Sequence, residues 1–321
     1  MSNNNNNGNK NNNKKYKCPN VKIPSSNNRL VCEYDKQKYC LKAPDNEALD
    51  FFAYGFYKPD QIAFHSIKDY VSKVEKVKIK KSVGFVNGIP VLMDGYNDMA
   101  GWIIRFNNND KHAAYEIIGN CKRIEFYKWE KLTVNNEKVN VLMPNKNDIQ
   151  RFVTGYSQDY DWKNDDSLKR SMEYLSKNIP RNVKFFTDYN DEEFLKLQML
   201  YLLLWAVIDR FTNLRYGFNV TDNITELSKE DYFKDALKNN FNKTSTVFSV
   251  QNLKSFTLQP KKPVCSIKYY YTFRNNIIHN GKDSKADAEK LHNALIELFD
   301  IFNEVYEEVK KEDFSKDFVE N

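Results

Sequence analysis

The chain has 321 residues, of which 41% are hydrophobic and 29% charged, and carries a net charge of +6. That length and apolar content suit two domains with cores of their own. The longest apolar run, Leu197 to Ile208, is broken by Gln198 and falls short of the roughly 17–25 residues a bilayer span needs. The N-terminus is polar rather than apolar, so no signal peptide is read and the chain is expected to be cytoplasmic, with no membrane partner. The five cysteines (Cys18, Cys32, Cys40, Cys121 and Cys265) form no CxxC pair. Cys18, Cys32 and Cys40 lack an evident fourth ligand, which favours free thiols in a reducing compartment; neither a metal site nor a cofactor is expected.

Residues 1–48 read as an Asn-rich tail: "MSNNNNNGNKNNNKK" at 1–15 buries too little apolar surface to order, and 16–48 stay polar and irregular. From 49 to 145 the signals alternate. "LDFFAYGFYK" predicts a strand running into a Gly turn. "DQIAFHSIKDYVSKV" predicts a helix capped by Asp60. "KVKIKKSVGFV", "GIPVLM" and "GWIIRF" predict strands, and "DKHAAYEIIGNC" a short helix. "EKLTVNNEKVNVLM" predicts a hairpin turning at Asn135 and Asn136.

Residues 146–189 form a connector with one helix, "DDSLKRSMEYLSKNI", stopped by Pro180. At 190–312 helices take over. "DEEFLKLQMLYLLLWAVIDRFTNLRYG" starts with acids that suit a helix N-terminus and ends at Gly217. Being apolar almost all round, it belongs in the middle of a bundle. "KEDYFKDALKNNF" and "SIKYYYTFRNNIIH" predict further helices. Ser284, with Asp287 as box partner, opens a final helix whose face carries Leu291, Leu295, Leu298, Phe299, Phe302 and Val305. Residues 313–321 are a tail. The fold class expected is α+β: a small mixed β-barrel-like N-terminal domain followed by an all-α helical bundle.

Charge is unevenly spread. Residues 1–189 hold 31 basic and 22 acidic side chains (+9), whereas 190–321 hold 18 and 21 (−3). No Asp or Glu occurs between Asp235 and Asp283, a stretch carrying Lys238, Lys243, Lys254, Lys261, Lys262, Lys268, Arg274 and Lys282. Such a stretch suits a polyanion partner, though charge alone also fits a solvated Lys-rich loop.

Two family resemblances bear on function. "FRNNIIHNGK", the long helix after it and the earlier "LYLLLWAVIDRF" resemble the HEPN family of small helical bundles over residues 190–312. That resemblance implies a metal-independent ribonuclease, often a toxin or defence effector, with Arg274, Asn275 and His279 as its motif and Asp209 as the acid of the central helix. It further implies a homodimer in which motifs from two chains build one site, and an antitoxin or regulatory ligand as partner. The pieces "FFAYGFYKPDQ", "NGIPVLM", "GWIIRF" and "AAYEIIGNCKRIEFYKWEKLTV" resemble the gamma-glutamylcyclotransferase-like fold over 49–145. In that family the turn at Tyr54, Gly55 and Phe56 holds a substrate carboxylate. Lys122 stands where the family's catalytic Glu falls, with Glu116 and Glu125 displaced, so a sensing or scaffolding role is expected rather than turnover of gamma-glutamyl compounds.

The chemistry of the first motif can be read from its residues. Cleaving RNA without a metal takes a base for the 2′-OH proton and a cation for the charge building on phosphorus. His279 suits the first task and Arg274 the second. Asn275 shares a helix face with His279, but Arg274 lies five residues before it, about 140° away on an ideal helix. A helix break at Asn280-Gly281, or a second copy across a dimer axis, would bring the two together. Lys268 and Lys282 are the flanking candidates for RNA phosphates, and Tyr269, Tyr270 and Tyr271 are candidates for base stacking or for core. Arg274 and His279 also suit an ordinary helix C-terminus. The bundle pattern, the basic stretch and the final helix together favour a site, with a non-catalytic nucleic-acid or nucleotide binding module as the first rival and a small-molecule (gamma-glutamyl) enzyme acting through the N-terminal domain as the second.

Overall fold

The computed structural model describes residues 40–86, 88–120, 126–145, 153, 155–157, 160–181, 189–217, 220–251, 253–280 and 288–318. Alternating β-branched residues build the first layer. β1 (Asp50–Ala53), β2 (Val71–Val86) and β3 (Ile89–Phe106) are followed by α1 (Lys111–Asn120), β4 (Tyr127–Val134), β5 (Glu137–Pro144) and the short β6 (Gly155–Ser157). The strand order is β4-β5-β1-β3-β2-β6, with β1 and β5 parallel and the other pairs antiparallel. β4 and β6 end the sheet, so it is mixed and open rather than a closed barrel among the described residues. The β4–β5 turn falls at Asn135 and Asn136, both at positive φ (49° and 67°), as a tight right-twisting hairpin requires.

Two elements differ from the sequence reading. "GIPVLM" and "GWIIRF" belong to one strand, β3, which pairs along almost the whole of β2. Lys81 faces Asp94 and Lys80 faces Asp98, so Gly95, Tyr96 and Asn97 form a bulge that carries the polar break without ending the strand. The expected helix from Asp60 is absent. Two 3-10 turns, Ile62–Ser66 and Lys68–Tyr70, occupy that stretch, and β2 starts at Val71. Ile62, Phe64 and Ile67 are buried as the helical spacing implied, but Val71, Val74 and Val77 pair into the sheet, where β-branched side chains pack well.

α1 covers one face of the sheet. Tyr115 stands at the centre, its ring 5.3 Å from Phe106 and 5.4 Å from Trp129. Its hydroxyl donates to the Leu49 carbonyl at 2.6 Å.

The helical layer begins with α2 (Asp166–Asn178), capped by Asp165, whose carboxylate accepts from Leu168 N–H at 2.9 Å. α3 (Asp191–Tyr216) opens on a capping box between Asn190 and Glu193 and closes at Gly217, φ +110°. α4 (Val220–Leu227) and α5 (Asp231–Asn240) follow, then a two-stranded hairpin, β7 (Thr246–Ser249) and β8 (Lys254–Thr257), then α6 (Pro263–Asn280) and α7 (Ala288–Lys310). α4 and the β7–β8 hairpin were not anticipated. The six apolar side chains expected on the face of α7 are all buried. Ser284 and Asp287, the expected cap of that helix, lie outside the described residues.

The sheet and the helices belong to one compact unit, Val31–Asn321. Gln61 accepts from the backbone N–H of Trp162 at 2.9 Å, and the Trp162 ring packs edge-on against Phe211 of α3 and Tyr306 of α7. Residues 314–318, read from sequence as tail, form a 3-10 turn that returns to the sheet side. Phe314 and Phe318 each lie 5.9 Å from the Phe64 ring, and Phe314 N–H donates to Pro59 O at 3.1 Å. Beside this contact the fully buried Arg215 of α3 joins Glu230, Glu312 and His65.

Candidate functional site

α3 and α6 cross with aromatic side chains between them. The Trp205 and Tyr271 rings lie 5.2 Å apart, Tyr201 and Phe273 6.1 Å, and the Tyr201 hydroxyl donates to the Tyr270 carbonyl at 2.7 Å. This packing brings Asp209 of α3 within electrostatic reach of Arg274 of α6. Burial raises the Asp209 carboxyl above the ordinary carboxylate range, and the Arg274 charge pulls the other way. One Asp209 oxygen, Oδ1, is buried with no hydrogen-bond partner among the described residues. Such an oxygen is costly to leave unpaired, so its presence here calls for a reason.

Arg274 is held in place. Its Nη1 donates to Asn275 Oδ1 at 3.1 Å, and its guanidinium sits 5.4 Å from the Tyr271 ring centre, a cation–π contact. Arg274 and Asn275 are half-buried. His279 is exposed in the last turn of α6, on the same face as Asn275.

α6 runs without interruption to Asn280, so no break falls between Arg274 and His279. The two therefore keep the separation of roughly 140° set by five helical residues. Lys268 is exposed six residues before Arg274, while Lys282 lies outside the described residues. Tyr269 and Tyr270 are buried, which leaves Tyr271 as the partly exposed member of the three.

Sequence reasoning missed Asn276. It is buried, its Nδ2 donates to Phe248 O at 2.8 Å, and its Oδ1 accepts from Val250 N–H at 3.4 Å. Asn276 therefore pins the β7–β8 hairpin to α6. The signal available was its place among the apolar positions of the helix, one turn after the buried Thr272.

The Tyr54-Gly55-Phe56 turn is placed differently from a ligand cradle. All three residues are buried. Gly55 has φ +62°, and a Cβ there would lie 2.5 Å from Pro90 Cγ. The Tyr54 hydroxyl donates to Leu142 O at 2.6 Å, and burial raises its pKa far above the ordinary phenol value. The Phe56 ring packs edge-on against Tyr160 at 4.8 Å. Pro90, Leu142 and Tyr160 thus occupy the ground beside the turn. Glu116 is exposed on α1 next to His112, whereas Lys122 and Glu125 lie outside the described residues.

The remaining histidines have structural partners. His112 meets Glu47 at 2.9 Å, and that hydrogen bond raises its pKa. His292 is buried against the Pro180 carbonyl. His65 Nδ1 accepts from Arg215 at 3.0 Å.

Searches against protein-family models, curated proteins and solved structures return no match for this chain. Among the described residues no helix is long and apolar enough to cross a membrane.

Proposed function

We propose that the chain is a HEPN-like, metal-independent ribonuclease that works as a homodimer. The observation that carries this reading is Arg274 beside Asp209: a guanidinium held by Asn275 and Tyr271, within electrostatic reach of a carboxylate that has one buried, unpaired oxygen. A fixed, half-exposed guanidinium is what a phosphate needs, because its donor fork matches two phosphate oxygens. In this reading His279 takes the proton from the RNA 2′-OH. Arg274 stabilises the charge that develops on phosphorus, Asp209 holds Arg274, and Asn275 orients the fork. The freed 2′-oxygen attacks phosphorus, the 5′-oxygen leaves, and the product carries a 2′,3′-cyclic phosphate. The exposed Lys268 contributes to binding the RNA backbone.

The second copy answers the geometry of α6. Arg274 and His279 diverge on one unbroken helix, so His279 of one chain works with Arg274 of the other. An apolar stripe along α3 supports this arrangement. Leu195 (55% exposed) and Met199 (63%) lead through the half-buried Leu202 and Leu203 to the exposed Ala206 and on to Asp209. These positions recur at helical spacing on one face, the pattern of a helix that covers a partner. Ile278, 46% exposed, adds to it from α6 one turn beyond Arg274. The sheet then serves as scaffold or sensor, and the activity is that of a cytoplasmic toxin or defence effector held in check by an antitoxin or ligand.

The test is RNA cleavage by the full chain in chelator, compared with His279→Ala. Loss of the base lowers the rate by about 10²–10⁴-fold. Because His279 is exposed, the variant keeps its circular dichroism and melting temperature. DNA stays intact, since it lacks the attacking hydroxyl. Equal RNA damage by both proteins removes His279 from the mechanism. RNA bound but uncut by the wild type moves the reading to a non-catalytic binding module.

A further inference from the structure

The opening between the α5–β7 loop, α6 and α7 plays no part in the site above. It is a cleft of about 270 Å³, lined in part by Asn242, Lys243, Tyr269, Lys290, Asn293 and Glu297. Glu297 forms its acidic floor. One carboxylate oxygen, Oε1, accepts from the backbone N–H of Asn242 at 3.0 Å, and the other, Oε2, from the Tyr270 hydroxyl at 3.3 Å. A carboxylate has about four acceptor positions, so each oxygen keeps one for a ligand. Glu289, Asn293 and Glu297 follow at four-residue steps and share one face of α7. Lys243 stands at the rim, 3.6 Å from Glu289, in an exposed pair of a kind that contributes little and exchanges readily.

We propose that this cleft is a subsite for a guanine nucleotide, with Glu297 receiving the base and Lys243 facing its phosphate. Naming a nucleotide rests on the RNA reading above; naming guanine rests on Glu297. Of the four RNA bases only guanine presents two adjacent donors, N1–H and N2–H₂, on its Watson–Crick edge. Adenine and cytosine offer a donor beside an acceptor, and uracil a donor between two acceptors. Two parallel hydrogen bonds to a carboxylate therefore select guanine and leave the other bases with an acceptor against an acceptor. Asn293, one turn before Glu297 in the same lining, is the candidate donor to the O6 carbonyl. The lining mixes the acids Glu289 and Glu297 with Lys243 and Lys290, so a ligand that combines donor groups with an anion matches it in charge. Burial raises the Glu297 carboxyl above its ordinary range, and ligand donors that favour the ionised form offset that burial.

Isothermal titration of the full chain with GMP, AMP, CMP and UMP tests the proposal. GMP is expected to bind roughly ten-fold or more tightly than the others, the discrimination a bidentate contact typically gives. Glu297→Gln should bring the four close together. Because Glu297 also holds the α5–β7 loop, Asn293→Ala provides a second variant, in which the ratio of GMP to AMP affinity falls. The preference should survive in His279→Ala, which separates base recognition from cleavage. Absence of GMP binding at millimolar concentration, equal affinities in the wild type, or an unchanged preference in Glu297→Gln overturns the subsite. RNA cleavage without a GMP preference sinks the subsite alone, and a GMP preference without RNA cleavage sinks the ribonuclease alone.

Discussion

Replacing Arg215 with Met tests the buried charge cluster that ties α3 to Glu230 and Glu312 beside the sheet. The Arg215 side chain is fully buried and makes four bonds to two carboxylates. Nε and Nη2 reach Glu230 at 2.7 and 2.9 Å, while Nη1 and Nη2 reach Glu312 at 2.7 and 2.8 Å. The Glu230 and Glu312 side chains are only 11% and 10% exposed, so water cannot take over when the guanidinium is removed. Tyr216 donates to Glu230, and His65 Nε2 lies 3.6 Å from it, which leaves that carboxylate partly supported. Met roughly conserves volume, so the loss is electrostatic. Breaking a buried pair costs about 3–5 kcal/mol, and the melting temperature should fall by roughly 6–15 °C.

The effect also carries a pH signature. Burial raises the pKa of Glu230, but the charge and hydrogen bonds of Arg215 outweigh it and leave the folded-state value below normal. A depressed carboxyl stabilises the fold above its unfolded pKa, about 4.3, and that stability is lost as pH falls through the folded value. Without Arg215 only Tyr216 and His65 oppose burial, so acidification should cost the variant less than it costs the wild type. The stability gap, measured by urea unfolding at pH 7 and near pH 4, should therefore shrink at the lower pH. A variant that unfolds like the wild type at pH 7, or a gap that ignores pH, refutes this account of the junction.

Two further outcomes are expected. Gly55→Ala places a Cβ 2.5 Å from Pro90 Cγ in a backbone at φ +62°, and should destabilise the chain by about 1–3 kcal/mol in denaturant unfolding; a neutral result would mean that the turn yields easily. Met199→Glu puts a charge on the exposed stripe of α3, and should convert a dimer to monomer in sedimentation while RNA cleavage falls and the melting temperature of the monomer holds; an unchanged dimer would exclude that face.

Helix periodicity and caps were legible in the sequence because they depend on near neighbours. α2 stops before Pro180, α3 ends at Gly217, and α7 buries the face that its leucines and phenylalanines define. The β4–β5 turn followed from Asn135 and Asn136 for the same reason, since only a residue tolerant of positive φ suits both positions. The candidate site was legible only as a set of residue types: an arginine, an asparagine and a histidine near the end of one helix.

The tertiary structure decided what no local pattern carries. Asp60–Val74 has the spacing of a helix, yet pairing with β3 claims its last four residues, because the chain cannot register a partner strand from its own periodicity. The bulge at Gly95–Asn97 joined two apparent strands into one for the same reason. Arg274 gained Asp209 from a helix some sixty-five residues earlier through the contact of Trp205 with Tyr271, and Arg215 gained Glu312 from across the bundle. Asn276 belongs to the same motif as Asn275, yet it turned inward to hold a hairpin while its neighbour held Arg274. Adjacent residues on a helix point about 100° apart, so only the position of the surrounding elements determined which asparagine became structural and which joined the site.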